Sequence, residues 1–478
     1  MAALQLLDHL YELALVLIVL YFSGYVIYQR WLHPLAKYPG PFLASLTDLW
    51  QVHQFMTLKQ PYTLTDLHEK HGSVVRYGPD KLSITSEEAI KSIYQSGARY
   101  MPKTEFYDAY GAAHPNVFGM RDENKALHYY VIDTLGELAF SQTFGVQESN
   151  DETRVPPVIE HSLLAAVTGA WPMMTARLKR WLPLIPHKGL QALFEGRKAC
   201  ANLASQCVNA RLNSIRSTDA SSSGSTDRKD ILTNLILAKH PDTGESLSRT
   251  DLETEAFGFI IAGTHTTSAT TALLFYHLLH HPNLMAQCVS EIDEKLPILQ
   301  PHESAYPVSM VETSLPYLRN CMKENFRITP VFTMPLARKV LMPQGIDIAG
   351  NHIPYATSIA VCNHAFHHNP EIWGSDHNIF DPSRWEGIEI AGKSKLLMHF
   401  GLGGRQCIGK TVAMTNIYKL MSTLLSEFEF ELADENERAL AKNNGFVGQI
   451  PELISVGISD LARPLLVKVQ KRDRVAAH

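Results

Sequence analysis

One helix dictates what this chain can fold into. Thr250-Asp-Leu-Glu253 reads as a capping box, and the helical pattern that follows holds to His281, where Pro282 stops it. At 1.5 Å per residue that helix is about 45 Å long, the breadth of a whole domain. Its middle, FIIAGTHTTSATTALL, is apolar on nearly all sides yet carries five threonines. Such a helix must cross a core rather than lie on a surface. The 478 residues, 45% hydrophobic and 19% charged, supply a globular body large enough to enclose it. No repeat period appears, which excludes solenoids and propellers. Lys+Arg 43 against Asp+Glu 48 gives a net charge of −5 and lacks the basic excess that nucleic-acid binding needs. Cys200, Cys207, Cys288, Cys321, Cys362 and Cys407 lie far apart with no CxxC pair. They read as reduced thiols of a cytosol-facing protein, not as a disulfide framework or zinc site.

A second apolar stretch stands at the start. Leu13 to Tyr28 is uncharged, and extended to Leu10 it nears the roughly 20 residues of a membrane helix. No Lys or Arg precedes it, Arg30 and Lys37 follow, and no small-residue cleavage site ends it. Those flanks predict a retained single-pass anchor over residues 1–30, with residues 31–478 as the catalytic domain on the cytosolic side. His33 to Phe42, with three prolines, predicts a stiff extended spacer. Strand signals at Ser73 to Tyr77 and Leu82 to Thr85 predict a small sheet near the N-terminus, and Val131 to Phe140 is helical. Residues 214–230, rich in Ser and Asp, predict a flexible surface loop.

The chemistry concentrates in FGLGGRQCIGK, Phe400 to Lys410, ahead of a helical segment. Glycines let a bulky planar group approach the backbone. A cysteine at a helix N-terminus has its thiolate favoured by the dipole and by free N–H donors. Arg405 offers a fixed cationic fork for a carboxylate. Together these describe a thiolate ligand to an iron porphyrin, with the arginine on a propionate.

Phe400, Gly403, Arg405, Cys407 and Gly409 in Phe-x-x-Gly-x-Arg-x-Cys-x-Gly resemble the haem-binding signature of cytochromes P450. Glu324-Asn-Phe-Arg327 is similar to the family's Glu-x-x-Arg pair, and FDPSRW resembles the later segment whose arginine, Arg384, completes a buried ion network. AGTHTT, Ala262 to Thr267, resembles the oxygen-activation motif. The resemblance is best with fungal, microsomal members. It implies a mainly α fold with a small β-sheet portion, haem b (heme b) on Cys407, Ala262 against the cofactor, and Thr266 with His265 as catalytic residues. It further implies electrons from NADPH through NADPH-cytochrome P450 reductase, a lipophilic small-molecule substrate of secondary metabolism, and residence in the endoplasmic reticulum membrane. The pocket would be lined by Phe106 to Phe118, Phe257, Ile261, Ala262, Val331 to Met334, Phe446 and Val447.

Two departures matter. His265 stands where the family has an acid, so it either relays protons or turns away into a hydrogen bond. Between RDENKALH, ending at His128, and VIDTLGELAF, starting at Val131, the family has two helices, named C and D, that are lacking here. Ile132 then stands where a propionate partner belongs. Two alternatives therefore stay open: a haem-thiolate isomerase or dehydratase, motivated by the missing acid, and a non-catalytic, haem-deficient remnant or incomplete gene model. His68 with His71 and the cluster His364, His367, His368 read as solvated or hydrogen-bonded rather than metal-ligating. GLGG at 401–404 lacks a third glycine and a βαβ setting, so it is no dinucleotide fingerprint.

Overall fold

The computed structural model describes residues 2–95, 101–106, 125–149, 154–178, 180–220, 229–300, 302–455, 457–463 and 465–473. In chain order the elements that position the site are α1 (Ala2–Ile27), α2 (Leu49–Met56), α3 (Gln60–His71), β1 (Val74–Gly78), β2 (Lys81–Ile84), α4 (Lys125–Phe140), α5 (Val158–Ala170), α6 (Lys188–Ala220), α7 (Arg249–His280), α8 (Pro282–Lys295), α9 (Pro316–Ile328), β3 (Arg338–Lys339), β4 (Ser358–Ala360), α10 (Lys410–Glu427), β5 (Leu453–Ser455) and β6 (Ser459–Leu461). The protein is mainly helical with small sheets.

Helix α7 is the axis, as its apolar surface demands. Helices α4 and α6 pack along it, and α9 and α10 meet its C-terminal half. Its N-terminus is capped two residues earlier than the sequence suggested. Ser248 accepts from the N–H of Asp251 while the Asp251 carboxylate accepts from the N–H of Ser248, so the box is Ser248–Asp251 and not Thr250–Glu253. Glu253 is used elsewhere, accepting from Arg249 and Ser205. The threonines of the helix solve their burial locally. Thr264, Thr266, Thr270 and Thr271 each donate to the carbonyl four residues back, at 2.9 Å for Thr266 to Ala262.

The main sheet has the order β1-β2-β4-β3. β1 and β2 form an antiparallel hairpin with Val74 opposite Ile84; β2 runs parallel to β4, and β3 antiparallel to it. The strand signals were right to within a residue. The proline segment after the first helix is not an extended spacer. It makes turns, buries Leu35 and Tyr38, and offers Pro39 O to the N–H of Arg76. Prolines lack donors, but their carbonyls and the apolar side chains between them suffice to dock the segment on the sheet edge. Residues 214–220 of the Ser/Asp-rich stretch continue α6, because its Ser and Arg residues sit on an exposed face that costs a helix little; 221–228 lie outside the described residues.

Helix α1 runs on into the helical turn Tyr28–Leu32, and the 24 residues His9–Leu32, of mean hydropathy 2.0, are long and apolar enough to cross a membrane. Its base is docked on the globular body. Tyr25 donates to Leu46 O, and the buried Arg76 donates to Gln29 O at 2.9 Å and to Gln29 Oε1 at 2.7 Å.

Where two further helices were expected, between His128 and Val131, α4 runs without a break. Ile132 is fully buried with Tyr129 and Val146, facing a core cluster. Residues 107–124, which hold most of the predicted pocket loop and Arg121, lie outside the described residues.

Candidate active site

Cys407 is the exposed cysteine; the other five are buried. Its loop is shaped by backbone hydrogen bonds: Gly401 N–H to Met398 O at 2.8 Å, Gln406 N–H to Gly403 O at 3.1 Å, and Cys407 N–H to Phe400 O at 2.8 Å. Gly403 has to be glycine. Its φ is +66°, and a Cβ there would lie 2.1 Å from Tyr94 O. Gly409 caps α10 at φ −82°, with room for a Cβ 3.8 Å from the sulfur, so packing within the chain does not demand that glycine. The N–H groups of Gly409 and Lys410 and the Lys410 charge favour the thiolate. Partial burial outweighs them and holds the thiol above its ordinary value.

Behind the loop lies a buried ion network. Arg327 donates to Glu324 from Nε at 3.0 Å and from Nη2 at 2.7 Å, the one-turn spacing placing both on one face of α9. Arg384 Nε adds a third contact at 3.3 Å and clamps Asp376 with Nη2 at 2.6 Å; Trp385 Nε1 and the N–H of Asp381 also donate to Glu324. The remaining guanidinium donors of Arg327 reach His367 O, His377 O and Ile379 O. His367 Nε2 accepts from the N–H of Met398, and Met398 O in turn receives Gly401. Thus the network holds the cysteine loop through two intermediates. Helix α9 is started by Glu291 of α8, whose carboxylate takes the N–H groups of Tyr317 and Leu318.

The histidines near this network are buried, not solvated. His364 pairs with Thr65, and His368 with Asn378 and Ile328 O. Among the described residues no group of three or more His, Cys, Asp or Glu could hold a metal ion. His68 bridges Gly72 O and Ser83 Oγ at the end of α3.

On the other side, Phe257, Ile260 and Ile261 of α7 share one apolar cluster with Phe106, Val331, Met334 and Ile458. Phe446 and Val447 do not join it. Phe446 packs on His280, 15 residues and about 22 Å along α7 from His265, and Val447 is exposed. Ile458, on the β5–β6 hairpin, takes the place the sequence reading gave them, because the bridge Phe332–Ile458 brings the hairpin to the cluster. Thr266 donates to Ala262 O. His265 is turned into a hydrogen bond, its Nε2 2.8 Å from Asp460 Oδ2.

A cationic cluster completes the geometry. Lys103 bridges Arg338 of β3 in antiparallel fashion, and the Arg338 guanidinium lies over the Tyr94 ring. Tyr94 is the residue whose carbonyl abuts Gly403. Burial, then Arg338, then Arg405 hold Lys103 down at about 8. Lys103, Arg338 and Asp460 escaped the sequence reading: each is an ordinary residue until long-range pairing brings it to the site.

Residues 112–456 match the family described as Cytochrome P450, well over half of the chain. The chain belongs to the cytochrome P450 family. Among relatives, cytochrome P450 monooxygenase cicH of Emericella nidulans is 29% identical over 497 aligned residues, covering 90% of this chain and 96% of that protein. Pisatin demethylase of Fusarium vanettenii is 27% identical, covering 88% and 89%. Benzoate 4-monooxygenase bphA of Aspergillus niger is 26% identical, covering 91% and 95%. The cicH alignment is longer than the share of this chain it covers, so that relative has residues without a counterpart in this P450. The enzyme is a cytochrome P450 monooxygenase, and the family implies a thiolate-ligated haem.

Proposed function

We propose that this P450 holds haem b on Cys407 and inserts one oxygen atom from O₂ into a lipophilic small molecule. The observation that carries the reading is the thiol of Cys407, exposed on a loop moulded against Tyr94 O, with Lys103, Arg338 and Arg405 gathered nearby. The residues fit the group: a thiol with two backbone N–H donors for the iron, and a cationic cluster for the propionates. When bound, haem supplies the activation of dioxygen. The chain's own side chains do the rest. The Gly409 and Lys410 N–H groups orient the sulfur. The cluster of Phe257, Ile261, Val331, Met334 and Ile458 excludes water and selects an apolar substrate. Thr266 and His265 are the groups that handle protons. Per turnover, substrate, O₂, NADPH and one proton give hydroxylated product, water and NADP⁺.

Electrons come from NADPH-cytochrome P450 reductase, and α1 anchors the enzyme in the endoplasmic reticulum membrane with the body on the cytosolic side. An apolar cavity of 460 Å³ supports a lipid-side route for the substrate; it lies among Leu49, Met56, Leu163, Val167 and Leu178. Leu49 of its wall follows three residues after the short helix Phe42–Leu46, on which α1 is docked. The isomerase or dehydratase alternative was motivated by a missing acid, and Asp460 now supplies a carboxylate to His265. Reduced, CO-treated protein should show the absorption band diagnostic of thiolate-bound haem, and Cys407→Ser should abolish it. Retention of the band in that variant overturns the assignment.

A further inference from the structure

Next to Thr266, helix α7 carries a buried imidazole joined to a buried carboxylate 195 residues away. Asp460 Oδ2 lies 2.8 Å from His265 Nε2, and Asp460 Oδ1 accepts from the N–H of Leu461 at 2.8 Å. Both carboxylate oxygens thus have a partner, as a buried acid requires. The hairpin that carries Asp460 is fixed in turn. Ser459 N–H donates to Val331 O at 2.7 Å, the N–H groups of Thr333 and Met334 both donate to Gly457 O, and Thr333 Oγ1 and Ser455 Oγ lie 2.6 Å apart. The carboxylate is therefore held by the same pieces that wall the apolar pocket.

Reducing O₂ so that one atom enters the substrate and the other leaves as water consumes two electrons and two protons. One proton is the equivalent of the NADPH hydride and one comes from solvent, and both have to cross a water-poor core. We propose that Asp460 is the positioning residue of a proton-carrying dyad with His265. By accepting from Nε2–H it fixes the tautomer and leaves the buried Nδ1 as the nitrogen that takes up and releases the proton. Asp460 stabilises the ring while it carries the charge. The dyad returns to its starting state each turnover, with no net gain of protons. This inference rests on the monooxygenase reading above.

The test uses the full-length haem-loaded chain with ¹⁵N-histidine labelling, and a reductase for the kinetic arm. The His265 signal is identified by its loss in His265→Gln. In the unaltered chain it reports the proton on Nε2, and Asp460→Leu loses that signature. Asp460→Asn keeps the shape and the haem content but oxidises NADPH about tenfold more slowly or worse, with a larger solvent isotope effect. Asp460→Glu restores most of the rate, and adding His265→Gln to Asp460→Asn slows it no further. An unchanged tautomer in Asp460→Leu overturns the dyad. So does an Asp460→Asn enzyme with the unaltered rate and isotope effect, which leaves Asp460 as a structural clamp. A haem-loaded unaltered chain that oxidises no NADPH sinks the monooxygenase reading, and the dyad falls with it.

Discussion

Glu324 is fully buried and depends on the donors around it, from Arg327, Arg384, Trp385 and the Asp381 backbone. Replacing Arg327 by Leu takes two donors and the closest cation from that buried carboxylate, at a cost of about 3–5 kcal/mol. Denaturant unfolding of the haem-loaded protein should show the loss, and haem content should fall with it because His367 and Met398 transmit the network to the cysteine loop. Gly403→Ala acts at the loop directly. A Cβ 2.1 Å from Tyr94 O at a positive φ forces the loop away from its partner, so the CO difference band should shrink or shift while the far-ultraviolet helix signal stays. Lys103 tests the other end of the cofactor. If it pairs a propionate, Lys103→Gln removes a charge-assisted bond of about 1.5–3 kcal/mol, and haem transfer to apomyoglobin should speed up by roughly 10- to 150-fold. An unchanged transfer rate would place the propionates elsewhere.

At the scale of elements, the short helix Asn363–His367 and the end of α3 hold histidines that stay neutral. Burial pushes His68 down to about 4 and His368 to about 4, and burial followed by Arg327 pushes His367 down to about 3. An unfolded histidine titrates near 6.5, so the unfolded chain binds more protons than the folded one below that value. Their stabilisation is complete above pH 6.5 and is lost as the pH falls toward 4, at about 1.4 kcal/mol per pH unit for each group. Urea midpoints between pH 7 and 4.5 should fall accordingly, and His68→Gln should flatten that slope by about one proton's worth. The buried threonines of α7 follow the same logic of local satisfaction, since bonds to the carbonyls one turn back let a polar stripe share the core with Phe257 and Ile261.

For the whole molecule, the base of α1 belongs to the packing of the body as well as to the apolar span. A chain starting at Tyr25 should leave the membrane fraction yet keep the unfolding midpoint, whereas one starting at His33 should lose about 1–3 kcal/mol with the Gln29 bonds to Arg76. Much of this protein was legible in one dimension. The cysteine loop, the Glu324–Arg327 pair, the apolar span and the long helix are all set by neighbours within a few residues, where periodicity and glycine placement carry the information. The capping box was misplaced by two residues because Ser248 with Asp251 and Thr250 with Glu253 both have the spacing of a capping box. What tertiary structure alone decided are the meetings across the chain: Asp460 with His265, Lys103 with Arg338, Ile458 with Val331, and Gln29 with Arg76. Those pairs have no spacing to betray them. Asp460 and Gln29 meet a buried polar or charged group and Ile458 an apolar face, whereas Lys103 and Arg338 meet through backbone bridging; in each case a distant strand is brought close by the shared core.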